Sequence, residues 1–216
     1  TITARRADAA EAAACALGGV GLVADVTDPA QIERAFAAAG AVDILVNNAG
    51  EALARPFAKT APEDWQRMLA VNLSGAYLAT RAALPGMIER HWGRIVNIAS
   101  TAGLKPYLYT AAYCAAKHGL IGLTRALALE TARSGVTVNA VCPGFTATDM
   151  AQNAIAAIEA QTGRSASEAR AALERFNPQN RLIDPAEVAA VVLFLCQLDS
   201  LGITGQSLII AGGEVM

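Results

Sequence analysis

Short apolar runs rich in β-branched residues alternate with longer alanine-rich segments along the whole chain. That alternation constrains the fold more than any other feature. Val20–Ala24, Val42–Val46, Arg94–Ala99, Val136–Cys142 and Gln206–Ala211 read as strands, and Thr1–Ala4 as the tail of another. The intervening segments have helical length and punctuation. Asp28-Pro29 supplies an N-cap and a first helical residue for a helix stopping at Gly40. Thr60-Ala61-Pro62-Glu63 has the capping-box pattern and starts a long helix through Trp65, Leu69, Leu73, Tyr77 and Leu84, which Pro85-Gly86 bends or ends. Further helices are expected from about Thr110 to Arg133 and from Asp184-Pro185 to about Leu198. Near-continuous apolar strands separated by helices mean a parallel sheet covered on both faces, a three-layer α/β/α arrangement. The 216 residues fit one domain, 1–216. A polar helical insertion at about 148–180, broken at Thr162-Gly163-Arg164-Ser165, is the one departure from regular alternation.

Composition excludes several classes. A chain that is 54% hydrophobic and 17% charged is not a long disordered segment. The net charge is −2 and Lys and Arg form no run, so nothing marks a nucleic-acid or anionic-membrane surface. No apolar stretch reaches the roughly 20 residues that cross a bilayer, and Arg5, Arg6 and Asp8 interrupt any signal-peptide pattern. Cys15, Cys114, Cys142 and Cys196 are widely spaced, and none stands at ligand spacing from His91 or His118. They read as small buried hydrophobes in a reducing compartment. The expectation is a cytoplasmic protein with no metal site.

The polar clusters stand at strand ends, where open α/β sheets bind ligands. Tyr113-Cys114-Ala115-Ala116-Lys117 puts a phenol and an ammonium one helical turn apart on one face. A nearby ammonium favours phenolate, so the pair is suited to moving a proton at a substrate oxygen. Ser100, just after the strand Arg94–Ala99, offers a hydroxyl to a carbonyl oxygen; Thr101 is adjacent, and which hydroxyl faces inward stays open. Asn72 is a mediocre helix former in mid-helix. Asn47-Asn48-Ala49-Gly50 has the small residues that let a flat ligand reach the backbone, and Pro143–Thr148 can wrap one.

In combination these residues resemble the classical short-chain dehydrogenase/reductase family. The resemblance covers essentially the whole chain. It rests on NNAG at 47–50, Asn72, RIVNIAS at 94–100, YCAAK at 113–117, VNAVCPG at 138–144, and Gly205-Gln206 with Gly212-Gly213. It implies a Rossmann-type doubly wound sheet that binds NAD(H) or NADP(H). It further implies Tyr113 as general acid/base, Lys117 as the group that lowers the phenol pKa and binds the nicotinamide ribose, and Ser100 as the carbonyl's partner. Asn72 would hold a water in a proton relay through Lys117. Asp25 and Val26 would contact adenine, and Asn48, Ala49 and Gly50 would line the adenosine side. Pro143, Gly144, Thr146 and Thr148 would hold the nicotinamide. Arg5 stands where relatives that use a 2′-phosphate often carry Arg, which favours NADP(H) over NAD.

The family's first strand and glycine-rich turn have no counterpart in these 216 residues; Gly18-Gly19-Val20-Gly21 follows a helix and precedes a strand, the wrong context. The expectation is that roughly 35 residues, one strand and one helix, precede Thr1 in the natural protein. VNAVCPGF, the two-part insertion and the ending AGGEVM resemble reductases of 3-oxoacyl thioesters and polyketides. The insertion also resembles D-3-hydroxybutyrate dehydrogenases. The first reading is therefore an NADP(H)-dependent carbonyl reductase of a 3-oxoacyl thioester carried by CoA or a carrier protein. The alternatives are an NAD-dependent dehydrogenase of 3-hydroxybutyrate or another small alcohol, and an inactive cofactor-binding or interaction protein. The implied pocket is lined by Glu51, Leu104, Tyr107, Tyr109, Phe145 and Met150 under a lid at 148–180 hinged at Gly163, and Arg164, Arg170 and Arg175 are candidates to meet a carrier's phosphates. Family members are commonly tetramers, so a homotetramer is expected. The apolar face Val188, Val191, Val192 and Leu195 fits either core or subunit contact.

Overall fold

The computed structural model describes residues 1–216. In chain order the elements are β1 (Ile2–Ala4), α1 (Ala7–Ala16), β2 (Gly21–Val23), α2 (Pro29–Ala39), β3 (Ile44–Asn47), α3 (Pro62–Leu69), α4 (Gly75–Glu89), β4 (Gly93–Ile98), α5 (Ala111–Glu130), β5 (Val136–Pro143), α6 (Asp149–Thr162), α7 (Ala166–Glu174), α8 (Pro185–Cys196) and β6 (Ser207–Ile210). All strand pairs are parallel.

Strand periodicity explains the layers. On β4 and β5, Ile95, Val136, Val138, Ala140 and Cys142 pack against Ala76, Ala83 and Met87 of α4 and Leu120, Ile121 and Ala128 of α5. Their alternates Val96 and Val141 pack against Leu195 of α8, joined by Val188, Val191 and Val192. Both sheet faces are thus covered, as the strand composition required. The α8 stripe that sequence left open between core and subunit contact is core. A separate small core of Ala151, Ile155, Ala169, Leu173 and Leu182 lies under α6 and α7.

The sheet runs in two ladders, β1–β2 and β3–β4–β5–β6, with no strand pairing between them. The sequence predicts a parallel sheet lacking the family's central first strand, and a helix between β2 and β3, which is α2. Ile44 and Val46 of β3 are accordingly half-exposed, whereas Val96 and Val141 in the middle of the ladder are buried.

Helix punctuation was read correctly in part. Asp28 caps α2, accepting from the Ala30 and Gln31 amides, and Gly40 ends it. Asp184 and Ser165 form capping boxes on α8 and α7. The box expected at Thr60 does not form. Pro62 sits at the first helical position after Ala61, and the Thr60 hydroxyl donates to the Pro56 carbonyl instead. The long helix expected from there is interrupted by a π-turn over Ala70–Ser74, and α4 then continues through Pro85 to Glu89. Gly163 ends α6 in the left-handed region (φ 70°), which breaks the insertion where expected.

Candidate active site

Parallel strands bring the ends of β3, β4 and β5 to one edge of the sheet, and α5 rises beside them. Asn47 is a strut there rather than a ligand-facing group. Its amide donates to Thr80 Oγ1 (3.2 Å) and Asn97 Oδ1 (2.8 Å), and Asn97 donates to Thr124 Oγ1 (2.9 Å). This buried, satisfied network ties β3 and β4 to α4 and α5. It fixes the height at which the next residues emerge.

Ser100 follows β4 in extended conformation and accepts from the Ala102 amide at 3.1 Å. It stands beside the Tyr113 phenol and opposes the larger upward push that burial gives that group's pKa. Thr101 points the other way: it is buried, and its hydroxyl meets the Tyr107 hydroxyl at 2.6 Å. That settles which hydroxyl faces the site. Lys117 is buried, donates to the Ile98 carbonyl at 2.8 Å, and sits 5.7 Å from the centre of the Tyr113 ring.

The electrostatic balance differs from the sequence expectation. Burial raises the Tyr113 pKa, and the opposing group is Ser100 rather than Lys117. Burial also lowers Lys117 to about 8 from its ordinary 10.5. Desolvation dominates because Lys117 is buried and Tyr113 half-buried beside it. At neutral pH the phenol is therefore held protonated.

Asn72 lies in the π-turn, a local distortion that often marks functional positions. Its amide donates to the Glu51 carbonyl (2.9 Å) and the Met68 carbonyl (3.1 Å), and its oxygen accepts from the Glu51 amide (3.3 Å). The side chain thus clamps the residue that follows NNAG. A Cβ placed on Gly50 would lie 3.0 Å from Asn72 Oδ1 and 3.6 Å from Lys117 Nζ. Gly50, Asn72 and Lys117 thus converge on one small space, linked through Lys117 to Tyr113 and Ser100.

On one side of this group lies a cleft of about 190 Å³. It is lined by Thr3, Ala4, Arg5, Ala24, Asp25, Val26, Ala49, Gly50, Glu51 and Val71. The expected adenosine-side residues Arg5, Asp25, Val26, Ala49 and Gly50 are all there; Asn48 is exposed at the end of β3 and is not part of it. Asp25 is held below the usual carboxylate range, chiefly by the Thr27 amide and hydroxyl, with help from Arg5. The mixture fits a dinucleotide's adenosine end: one cation, Arg5, two carboxylates, Asp25 and Glu51, and small residues on the wall. A wider hollow of about 410 Å³ between α1 and β2 carries only Glu11 as a charged group and none of the expected site residues.

Pro143 ends β5, Gly144, Thr146 and Thr148 lie in the turn after it, and all four lie outside the adenosine-side cleft. The turn is stitched to Ile183 through Ala147 N to Ile183 O (2.9 Å) and Ile183 N to Phe145 O (2.8 Å). Thr146 and Thr148 donate to the Gly144 (3.0 Å) and Thr146 (3.3 Å) carbonyls.

The pocket expected from sequence divides. Tyr107 and Phe145 pack edge to face at 5.9 Å, Leu104 packs into the core beside Leu120 and Ile121, and Tyr109 and Met150 are exposed. Glu51 turns towards Arg67, whose Nη2 lies 2.7 Å from Glu51 Oε2. On α7, Arg170 is taken by Glu174 at 2.8 Å.

Sequence reading missed four participants. Arg67 precedes Asn72 by five residues on the same helical run, and that spacing was its signal. Phe176 packs on Tyr107 and Phe145. Lys105, the one cation between Ser100 and Tyr113, pairs with Glu214 at 3.1 Å.

The chain is similar to known proteins of one family. A family model described as enoyl-(acyl carrier protein) reductase matches residues 1–214. The chain is 42% identical to a D-beta-hydroxybutyrate dehydrogenase of Cupriavidus necator, over 80% of this chain and 69% of that protein. It is 38% identical to a 3-oxoacyl-(acyl-carrier-protein) reductase of Vibrio cholerae, over 92% of this chain and 78% of that one. Among solved structures, a variant of actinorhodin polyketide ketoreductase with NADPH superposes with a TM-score of 0.94 at 37% identity, covering 98% of this chain and 85% of that one.

Proposed function

The chain belongs to the short-chain dehydrogenase/reductase family, oxidoreductases of carbonyl and CH–OH groups, and from that premise we propose that it reduces a 3-oxoacyl thioester to the 3-hydroxyacyl product with NADPH. The observation that carries the reading is the convergence of Ser100, Tyr113, Lys117 and Asn72 beside a cleft with Arg5 at its rim. Residues 1–216 act as one nucleotide-binding unit, and 148–180 as a lid over the substrate.

Arg5, Asp25, Val26, Ala49 and Gly50 hold the adenosine side, and Asn48 stands outside that cleft. Pro143, Gly144, Thr146 and Thr148 hold the nicotinamide side. Bound NADPH supplies the hydride that reduces the carbonyl carbon. Ser100 donates a hydrogen bond to the carbonyl oxygen and orients it towards Tyr113. Tyr113 gives its phenolic proton to that oxygen, and the alcohol results. Lys117 steadies the phenolate left behind and binds the ribose. Asn72 fixes the loop at Glu51 and holds the relay that returns a proton through Lys117.

The thioester substrate is supported by the similarity to a 3-oxoacyl-(acyl-carrier-protein) reductase and to a polyketide ketoreductase. The similarity to a D-beta-hydroxybutyrate dehydrogenase supports the second reading, an NAD-dependent oxidation of a small alcohol. Arg5 separates the two. Arg5→Ala is expected to weaken NADPH binding by about 10–100-fold, the worth of a charge-assisted hydrogen bond, and to leave NADH binding unchanged. Nicotinamide fluorescence titrations measure both, and equal losses for the two cofactors would favour the NAD-dependent reading.

The assembly expected is a homotetramer. Leu193 and Phe194 of α8, Leu198, Leu201, Ile209 of β6 and Leu129 of α5 are exposed large apolar side chains that a subunit contact would cover. Mass measurement in solution is expected to give four chains, and a monomer at micromolar concentration would reject it. No helix is long and apolar enough to cross a membrane. The four unpaired cysteines support a cytoplasmic location.

A further inference from the structure

Glu214, two residues before the last residue of the sequence, has its side chain only 2% exposed. Its Oε1 accepts from the Tyr107 hydroxyl and pairs with Lys105 Nζ at 3.1 Å. Its Oε2 has no hydrogen-bond partner and lies 3.0 Å from where a Cβ on Gly144 would stand. Both partners belong to the segment between Ser100 and Tyr113. A carboxylate taken out of water at this cost calls for a reason beyond surface solvation.

Tyr107 supplies it. Its hydroxyl joins Glu214 to Thr101, the neighbour of Ser100. Its ring meets Phe145 of the turn after β5 at 5.9 Å and Phe176, just beyond α7, at 5.6 Å; the two Phe rings are 5.2 Å apart. Three separate segments therefore meet in one aromatic corner, and the polar handle of the central ring is held by one carboxylate. Burial and Glu214 both push the Tyr107 phenol up, so it remains a hydrogen-bond donor across the neutral range.

We propose that Glu214 is a positioning residue that acts through Tyr107: it fixes the aromatic corner Tyr107–Phe145–Phe176 as the wall against which the substrate's acyl chain packs. The inference rests on the reductase reading for its substrate, but not for the bracing itself.

Two measurements separate these. Amide hydrogen exchange on the purified protein reads the bracing without turnover. Glu214→Ala is expected to speed exchange in residues 101–110 by about tenfold or more, the worth of one hydrogen bond to a charged group, with β4 and β5 unchanged. Steady-state kinetics with an acetoacetyl thioester and NADPH read the wall. The same variant is expected to raise KM by about tenfold with kcat within about threefold of the parent, as loss of uniform binding does. Glu214→Gln keeps an acceptor for Tyr107 and is expected to stay within about twofold of the parent in KM. Tyr107→Phe is expected to reproduce the Ala phenotype, and the double variant to be no worse than either single one. Unchanged exchange in 101–110, additive losses in the double variant, or a Gln variant as impaired as the Ala variant would overturn the proposal. If the parent protein reduces no ketone, the reductase reading fails, and the exchange experiment alone decides the bracing.

Discussion

Replacing Tyr113 by Phe is expected to lower kcat for carbonyl reduction by about 10²–10⁴-fold while NADPH binding stays within about threefold of the parent. The ring remains, so the packing of α5 against Ser100 and Lys117 remains; what is lost is the one proton donor facing the carbonyl position. Burial holds this phenol protonated at neutral pH, and Ser100 moderates the shift. That is the protonation state that reduction consumes. Steady-state rates beside a fluorescence titration check both halves. Turnover retained within about tenfold would remove Tyr113 from the chemistry.

The second large effect is expected at Lys117. Lys117→Met is expected to cut kcat/KM by about 10²–10³-fold, because it removes both the cation that steadies the phenolate and a ribose ligand. It is not expected to lower the melting temperature at pH 7. Burial lowers the Lys117 pKa to about 8, against 10.5 ordinarily. Below pH 8 the folded state bears the cost of an enclosed ammonium. Between about 8 and 10.5 the unfolded chain binds the extra proton, so the parent's stability rises with pH across that window. The Met variant loses that rise along with the cost. In the parent, kcat/KM for reduction is expected to fall as pH rises through about 8, where the ammonium is lost. A melting temperature at pH 7 well below the parent's would show that Lys117 serves the fold instead, through its bond to the Ile98 carbonyl.

How much of this was legible in the sequence varied with the range of the interaction. Local signals read well. Asp28-Pro29 and Asp184-Pro185 cap helices because a side-chain oxygen and a fixed φ act within three residues. The YCAAK spacing placed Tyr113 and Lys117 on one helix face, where they are. The Thr60 box failed because Pro62 set the helix start one residue later, and the Thr60 hydroxyl found the Pro56 carbonyl. The π-turn at Asn72 was not legible, and the side chain's partner Glu51 lies 21 residues away. The same holds for electrostatics. Spacing gave a phenol beside an ammonium, but burial decides the direction of both shifts. Glu214 lies 107 residues from Tyr107, beyond any local pattern.

The central claim is that this site transfers hydride from NADPH to a 3-oxoacyl thioester. The direct measurement is consumption of reduced nicotinamide by the purified protein with acetoacetyl and longer 3-oxoacyl thioesters, run with NADPH and NADH in parallel and with the product identified. Stoichiometric formation of the 3-hydroxyacyl thioester is expected, at least about tenfold faster in kcat/KM with NADPH, as a 2′-phosphate bond to Arg5 requires. Reduction driven better by NADH, or no 3-hydroxyacyl product from any of these thioesters, would contradict the central claim.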